Sequence, residues 1–297
     1  MSDLGKMRDQ MKSGQGFIAA LDQSGGSTPK ALSLYGVEPS DYAGDEEMFA
    51  RIHEMRSRII LADAFTSEKV IGAILFERTM QNEINGTPVA ELLWRERGIV
   101  PFLKIDKGLQ AASDGVQLMK PMPGLEDLLK EAVAKGIFGT KERSVIQEAD
   151  AAGIKAIVAQ QFEVGATVLA AGLVPILEPE VDIHSPTKAE AEEMLKQEIE
   201  AHLDTLPEGA EIMLKLTLPT QAGLYDQLAQ DPRILRIVAL SGGYSTDEAS
   251  EKLAQNSGMI ASFSRALTEG LNAKMSDAEF ESALGSNVDQ IYRASVA

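Results

Sequence analysis

The 297-residue chain contains no cysteine, so it can form no disulfide and offers no thiolate ligand to a metal. It has three histidines, His53, His184 and His202, whose spacing fits no metal-binding pattern. We therefore expect no bound metal. The absence of cysteine is also compatible with a reducing cytoplasm.

Positive charge is scarce, with 28 lysines and arginines against 45 acidic residues and a net charge of −17. Such a chain is repelled by phosphate backbones and anionic lipids, which argues against nucleic acids and membrane surfaces as partners. No apolar run approaches the roughly 18 residues that span a bilayer. The amino terminus also lacks the apolar core of a signal peptide. We expect a cytoplasmic protein.

The chain does contain a series of short apolar runs that alternate with helical patterns. The runs typical of buried strands are 17–21, 70–76, 100–105, 137–140, 173–177, 212–216, 237–240 and 259–263. Helical periodicity covers 45–65, 87–97, 125–135, 144–171 (with a break near Gly153) and 187–206. Capping boxes begin at Thr187, Ser245 and Ser276, each followed three residues later by glutamate.

Eight strands alternating with helices predict an α/β fold, a single-domain (β/α)8 TIM barrel over 1–297, with short helices at both ends. A doubly wound open sheet is the alternative. That fold usually carries a glycine-rich dinucleotide turn after its first strand, and the segment Asp-Gln-Ser-Gly-Gly at 22–26 does not match one.

One lysine, Lys215, interrupts the apolar run 212–216. A lysine at the carboxyl end of a buried strand is partly desolvated, and its neutral amine can attack a carbonyl to form a Schiff base. A lysine in this place can also pair with a carboxylate or extend its ammonium to solvent. Lys215 alone leaves both readings open.

Polar residues also end the other predicted strands, where the mouth of a barrel carries its active site. They are Asp22, Lys104, Asp106, Lys141, Arg143, Glu178, Glu180, Ser241, Gly242, Gly243 and Arg265. Each one alone fits a helix cap or a salt bridge at the rim. Their number favours a functional site, in which Glu178 and Glu180 are expected within reach of Lys141 and Lys215.

The basic residues among them predict an anionic substrate, because clustered cations focus the field in a cleft. The turn at 241–243 offers backbone N–H groups and Arg265 a bidentate donor, at the usual phosphate site of a barrel. Lys104, Lys107 and Arg143 form a second set on other strands. Two separate anion sites predict a substrate with a phosphate at each end.

The same motifs, in the same order along the chain, resemble class I fructose-bisphosphate aldolases. They are Ala20-Leu21-Asp22-Gln23-Ser24, Leu103-Lys104-Ile105-Asp106-Lys107-Gly108, Leu173-Val174-Pro175-Ile176-Leu177-Glu178-Pro179-Glu180, Leu214-Lys215, Leu240-Ser241-Gly242-Gly243 and Ser264-Arg265-Ala266. The resemblance implies a metal-independent lyase that needs no cofactor and acts on sugar phosphates. The sequence is compatible with a homo-oligomer and does not fix its size.

By this resemblance Lys215 forms the Schiff base with the C2 ketone of fructose 1,6-bisphosphate. Glu178 is the general acid and base for carbinolamine dehydration and C–C cleavage. Asp22 helps to take the C4 hydroxyl proton, while Glu180 and Lys141 position and polarise the substrate. The alternatives are another Schiff-base sugar-phosphate aldolase, a transaldolase, or a barrel that binds ligands without catalysis.

The resemblance also implies which residues bind the two phosphates. The residues implied for one phosphate are Ser241, Gly242, Gly243 and Arg265. Those implied for the other are Ser27, Lys104 and Arg143. Animal members of the family have an acidic residue at Gln23 and an arginine at Ala31, so the contacts to the second phosphate are left open.

Overall fold

The computed structural model describes residues 2–24 and 26–297. Met1 and Gly25, which belong to the predicted domain and to the segment 22–26, lie outside the described residues. In the described part, eight parallel strands follow one another in chain order around one sheet. They are β1 (Phe17–Leu21), β2 (Val70–Leu75), β3 (Val100–Lys104), β4 (Gly139–Ile146), β5 (Val174–Val181), β6 (Ile212–Thr217), β7 (Ile234–Leu240) and β8 (Met259–Ala261).

The sheet curves into a nearly closed barrel, because β8 lies beside β1. Just beyond the ends of these two strands, Gln23 Nε2 donates a hydrogen bond to Ser264 Oγ at 2.7 Å. The short strand Val116–Gln117 adds an antiparallel partner to the end of β4. The structure confirms the predicted (β/α)8 barrel and not the open sheet.

Helices cover the outside of the barrel. The longer ones are Asp3–Ser13, Thr28–Leu34, Gly44–Leu61, Leu125–Ala134, Ala151–Ala170, Lys188–Leu203, Thr246–Leu253 and Asp277–Ser295. Short helical turns are Pro39–Asp41, Glu77–Gln81, Val89–Glu91, Leu92–Glu96, Leu228–Gln230 and Arg265–Thr268, and a small hairpin pairs Glu83–Ile84 with Thr87–Pro88. None of the described helices is both long and apolar enough to cross a bilayer.

The strands form where the sequence has short apolar runs because both of their faces are buried. Every residue of β1, β2 and β6 is buried. The side chains that fill the barrel interior include Ile18, Ile74, Phe102, Phe138, Ile176, Met213, Val238 and Ile260. A larger cluster of apolar side chains packs between the strands and the helices.

The amino-terminal helix Asp3–Ser13 closes the barrel at the end where the strands begin. Met7 and Met11 pack on the interior cluster and are nearly or fully buried. Arg236 Nε, on β7, donates to the backbone carbonyl of Met11 at 2.8 Å. Gln10 Nε2 donates to the carbonyl of Ile71 at 2.8 Å. Because the interior is filled and this helix covers one end of the barrel, a site can form at the other end, where the strands terminate.

The fourth strand is longer than the sequence predicted, and the assignment of residues 144–146 to a helix was wrong. This end of β4 carries polar side chains that face the helix Ala151–Ala170. Gln161 Nε2 of that helix donates to Ser144 Oγ at 2.8 Å, and Glu142 is fully buried. Buried polar residues that bond one another interrupt the run of apolar residues by which a strand is recognised in a sequence. The end of β4 was missed for this reason.

The predicted helix break near Gly153 was also wrong. The helix Ala151–Ala170 begins after Asp150, whose side chain accepts the N–H of Gly153 at 2.8 Å, so Gly153 lies in the first turn. A Cβ at Gly153 would lie 2.1 Å from the carbonyl oxygen of Asp114. The glycine allows a loop to approach the helix closely.

The three predicted capping boxes differ in the structure. Ser276 and Glu279 form the complete box at the start of the carboxyl-terminal helix. Ser245 accepts one backbone N–H, at 3.2 Å, of the helix that it precedes. Thr187 makes no cap of its own helix, and its hydroxyl instead accepts the N–H of Ala149 at 2.8 Å. A capping sequence thus predicts where a helix begins, but it does not predict which hydrogen bonds the capping side chain makes.

Candidate active site

A cavity of about 320 Å³ opens at the carboxyl ends of the strands. Eleven of the residues predicted from the sequence line it: Asp22, Ser27, Lys104, Asp106, Lys141, Arg143, Glu178, Glu180, Lys215, Ser241 and Gly242. Within the described part of the chain, Gly243 and Arg265 are not among the lining residues, and the Arg265 side chain is exposed. The barrel therefore brings most of the predicted site into one cavity.

Four charged side chains in this cavity form a continuous series of alternating charge. Lys215 Nζ on β6 lies 3.0 Å from Glu178 Oε1 on β5. Glu178 Oε2 lies 2.8 Å from Lys141 Nζ on β4, which lies 2.6 Å from Asp22 Oδ2 at the end of β1. None of the four residues is more than 9% exposed. Four separate strands thus hold two lysine amino groups and two carboxylates at contact distance.

The charges in this series stabilise one another. Burial alone would raise the pKa of Asp22, but Lys141 and Lys215 hold it below its ordinary value. Burial also opposes the charged form of Glu178, and the same two lysines keep its pKa below the ordinary value. Burial would lower the pKa of Lys141, and the two carboxylates raise it instead. At neutral pH the centre of the site is an ammonium between two carboxylates.

A buried hydroxyl fixes the spacing between β5 and β6, the strands that carry Glu178 and Lys215. The two strands pair directly at Ile176–Met213 and Leu177–Leu214. Further along, Thr217 Oγ1 donates to the carbonyl of Val181 at 2.7 Å and accepts its N–H at 2.9 Å. Beyond Lys215, the side chain of Thr217 therefore takes the place of backbone hydrogen bonds in joining the two strands.

The second group of predicted cations is already paired with carboxylates. Lys104 forms a buried ion pair with Asp106, which also accepts the N–H groups of Gly108 and Arg143, each at 3.2 Å. Burial and the nearby Lys141 lower the pKa of Lys104. Arg143 Nε donates to Glu180 Oε2.

Two expectations are corrected by these pairs. Both glutamates of β5 were expected within reach of the lysines, yet the described ion pair of Glu180 is with Arg143, and Glu178 alone contacts Lys141 and Lys215. Side chains two apart on a strand share a face, but their tips reach different neighbours. Lys107 does not line the described cavity, since its Nζ lies 2.5 Å from Glu77 Oε2.

In the described lining of the cavity, the predicted cluster of cations is matched by an equal number of carboxylates. Its cations are Lys104, Lys141, Arg143 and Lys215, and its carboxylates are Asp22, Asp106, Glu178 and Glu180. Each cation contacts at least one of these carboxylates. Anion binding here must come from directed hydrogen bonds more than from net charge.

The glycine turn after β7 has a conformation that only glycine adopts easily. Gly242 has φ +60° and Gly243 φ +126°. A Cβ at Gly242 would lie 2.7 Å from Ile183 Cγ2, so space as well as backbone angle requires glycine. The turn brings Ser241 and Gly242 to the cavity.

Several lining residues were not predicted as site residues. They include Gln23, Ser24, Gly108, Leu109, Ser262 and Ser264. Ser262 is 2% exposed, and its hydroxyl has no hydrogen-bond partner within the described residues. Ser264 stands in one of the resembling motifs, but neither serine after β8 was recognised as a site residue, because serine at a strand end is common in loops of every kind.

The described residues contain no group of three or more histidines and acidic residues placed to hold a metal ion. The chemistry available from the site is that of an amine with neighbouring proton donors and acceptors.

Comparison with known proteins identifies the family. The family model for fructose-bisphosphate aldolase class-I matches residues 4–218. A relative from Synechocystis sp., named fructose-bisphosphate aldolase class 1, is 58% identical over 287 residues, which are 97% of this chain and 96% of the relative. A relative of the same name from Porphyromonas gingivalis is 56% identical and covers 97% of each chain.

Among solved structures, fructose-bisphosphate aldolase from Plasmodium falciparum, crystallised with TRAP and a small-molecule inhibitor, is similar in fold. Its TM-score is 0.81 at 22% identity, covering 99% of this chain and 94% of the other. That likeness supports the barrel alone, whereas the family rests on the sequence matches. The chain belongs to the class I fructose-bisphosphate aldolase family.

Proposed function

We propose that this chain, as a metal-independent carbon–carbon lyase, cleaves fructose 1,6-bisphosphate reversibly to dihydroxyacetone phosphate and glyceraldehyde 3-phosphate. The observation that carries the proposal is the buried series Lys215–Glu178–Lys141–Asp22. The names of the relatives support the substrate, and the series supports the route through a Schiff base. We place the enzyme in the cytoplasm and leave its oligomeric state open.

The first stage of this reaction needs an amine and a proton donor in contact. The amine of Lys215 attacks the C2 carbonyl to give a carbinolamine, and loss of water from C2 gives the iminium. Glu178, whose Oε1 lies 3.0 Å from Lys215 Nζ, is placed to accept a proton from the amine and to return it to the departing hydroxyl. Its position supports the role of general acid and base.

The second stage needs an electron sink and a base. When the C3–C4 bond breaks, its electron pair moves to the iminium at C2 and gives an enamine, while the C4 hydroxyl loses its proton. Asp22 is ionised at neutral pH and so can take that proton, as predicted. Lys141 contacts both Asp22 and Glu178, and its ammonium can stabilise the charge that develops on the C4 oxygen.

The two phosphates are assigned to two different groups of residues around the cavity. We assign the 1-phosphate to Ser241, Gly242 and Gly243 of the turn after β7 and to Arg265, which follows β8. The 6-phosphate is assigned to Ser27, Lys104 and Arg143, with Glu180 holding Arg143. Because Lys104 and Arg143 are paired with carboxylates, a phosphate there must share or replace those partners.

The rival functions lack a comparable observation. Another Schiff-base aldolase or a transaldolase would also use Lys215, but the relatives that match nearly the full chain are named fructose-bisphosphate aldolases. A barrel that only binds ligands has no need for a lysine buried against a glutamate, which is costly unless both are used.

Cleavage of fructose 1,6-bisphosphate should be unaffected by a chelator. We expect the same kcat and KM, within about twofold, before and after treatment with EDTA, because the proposed electron sink is the iminium and not a metal. The measurement is the release of triose phosphate in a coupled assay. Loss of activity on chelation, with recovery on addition of zinc, would refute the class I route.

Arg265→Ala should weaken binding of the 1-phosphate. Removing a charged donor typically costs about 2–3 kcal/mol, and we expect kcat/KM for fructose 1,6-bisphosphate to fall accordingly. The loss should be much smaller for fructose 6-phosphate, which has no 1-phosphate. Arg95→Ala, an exposed arginine paired with Glu91 at the other end of the barrel, is the matched control. Equal losses for both sugars would remove Arg265 from the phosphate site.

A further inference from the structure

A buried arginine outside the reaction centre has no carboxylate partner among the described ion pairs. Arg56, on the helix Gly44–Leu61, is 1% exposed. It donates to the carbonyl of Gln23 at 2.6 Å, to Gln23 Oε1 at 3.1 Å and to Thr79 Oγ1 at 2.7 Å. Burial lowers the pKa of Arg56 to about 10. Burying a guanidinium against neutral acceptors is unfavourable, so the arrangement calls for a reason.

The arginine fixes which way the Gln23 side chain is turned. A guanidinium has only donors, so the oxygen of the Gln23 amide must face Arg56. The amide nitrogen then faces the opposite way, towards the carbonyl of Ala20 at 3.4 Å and Ser264 Oγ at 2.7 Å. Gln23 is therefore a donor to Ser264 and cannot be its acceptor.

This orientation in turn fixes the Ser264 hydroxyl. Its oxygen accepts from Gln23, so its own hydrogen is turned away from that amide. Among the described hydrogen bonds, Ser264 Oγ donates to no protein atom. Ser264 lines the cavity together with Ser241 and Gly242, which we assign to the 1-phosphate. The series of hydrogen bonds from Arg56 through Gln23 to Ser264, here called the relay, therefore leaves the Ser264 hydroxyl hydrogen free to bond a ligand in the cavity.

We propose that Arg56 and Gln23 are positioning residues that hold Ser264 as a hydrogen-bond donor to the 1-phosphate. The inference rests on the proposed function. It adds Ser264 as a binding residue, with Arg56 and Gln23 as the residues that orient it. It also explains why a cavity without excess positive charge can hold a phosphate, since the donor is oriented before the substrate arrives. A donor fixed in advance loses little entropy on binding.

The sharpest test is Gln23→Glu, which changes one amide to a carboxylate of the same shape. The carboxylate pairs with Arg56, so the fold should be as stable as the parent or more so. It is also an acceptor only, so the Ser264 hydroxyl turns to donate to it and is lost to the cavity. We expect KM for fructose 1,6-bisphosphate to rise about tenfold and kcat to change little.

Ser264→Ala and the double variant separate the relay from a plain effect of charge. Ser264→Ala should raise KM by a similar factor, about tenfold. The double variant should be no worse than either single one, because both changes remove the same donor. If the added charge acts on the phosphate directly, the two effects multiply instead, and the proposal is wrong. A fall in melting temperature with no change in KM would assign the relay a structural role and would also overturn it.

Binding of inorganic phosphate, measured by calorimetry, keeps this inference distinct from the proposed reaction. We expect the parent to bind phosphate, and Gln23→Glu and Ser264→Ala to bind it about tenfold more weakly. Equal affinity in all three proteins, or no binding to the parent, contradicts the relay. If the parent binds phosphate as expected but neither cleaves the sugar nor forms a borohydride adduct, the proposed function fails and the phosphate result still stands.

Discussion

Lys215→Ala is expected to lower kcat for fructose 1,6-bisphosphate by about 10⁴-fold or more, equal to about 5.4 kcal/mol of transition-state stabilisation. In the proposed reaction the amine of Lys215 is the group that becomes covalently attached, and alanine leaves no nucleophile at this position of β6. Borohydride reduction with dihydroxyacetone phosphate should add one ketose fragment to the peptide that carries Lys215, and none in the variant. Mass spectrometry of the digested protein makes this measurement.

The controls separate chemistry from packing. Lys215→Met keeps most of the side-chain volume and should be as inactive as the alanine variant, with a melting temperature close to the parent. Lys107→Ala removes an exposed lysine that pairs with Glu77 outside the described cavity lining, and it should keep the adduct and the activity. An adduct on Lys104 or Lys141 in the parent would show that the nucleophile is misassigned.

Glu178→Gln is expected to lower kcat by about 10³-fold, within the range for loss of a general acid and base. The amide keeps the shape of the carboxyl group but can neither carry a proton between Lys215 and the C2 hydroxyl nor balance the two ammonium groups beside it. Formation of the iminium should become slow. Stopped-flow or quenched-flow trapping with borohydride measures this step directly.

Glu180→Gln is the matched comparison, because it makes the same change two residues along the same strand. Glu180 holds Arg143, so we expect a change mainly in KM and a loss in kcat below about tenfold. If the two glutamine variants lose kcat equally, the assignment of acid–base chemistry to Glu178 alone is incorrect.

Much of the barrel could be predicted because a parallel strand that is buried on both faces requires a short continuous run of apolar residues, which is visible in the sequence. The apolar runs at β1 and β6 coincide with the predicted strands to within a residue. The complete capping box at Ser276 likewise involves residues three apart in sequence. Where β4 continues past Lys141, buried polar side chains replace the apolar pattern, and sequence periodicity cannot distinguish them from a helix.

The site could be predicted as a set of strand ends, but its pairs could not. A barrel mouth brings strand ends together whatever their order, so the residues of the cavity follow from the fold. Which carboxylate meets which cation depends on side-chain reach across strands, as in Arg143–Glu180. The bond between Gln23 and Ser264 joins residues 241 positions apart, and sequence spacing carries no record of it.

The helix Asp3–Ser13 closes the barrel where the strands begin, and the described cavity opens at the carboxyl ends of the strands. Met7 and Met11 form the floor of the barrel, and the packed interior lies between that floor and the reaction centre. Both fragments of a cleaved sugar must therefore leave by the opening through which the sugar arrived. In the proposed reaction the aldehyde fragment is released by bond cleavage while the ketose fragment stays attached to Lys215, so the aldehyde departs first. In the reverse direction the ketose must attach to Lys215 before the aldehyde can add to it, so the same opening must admit two substrates in a fixed order.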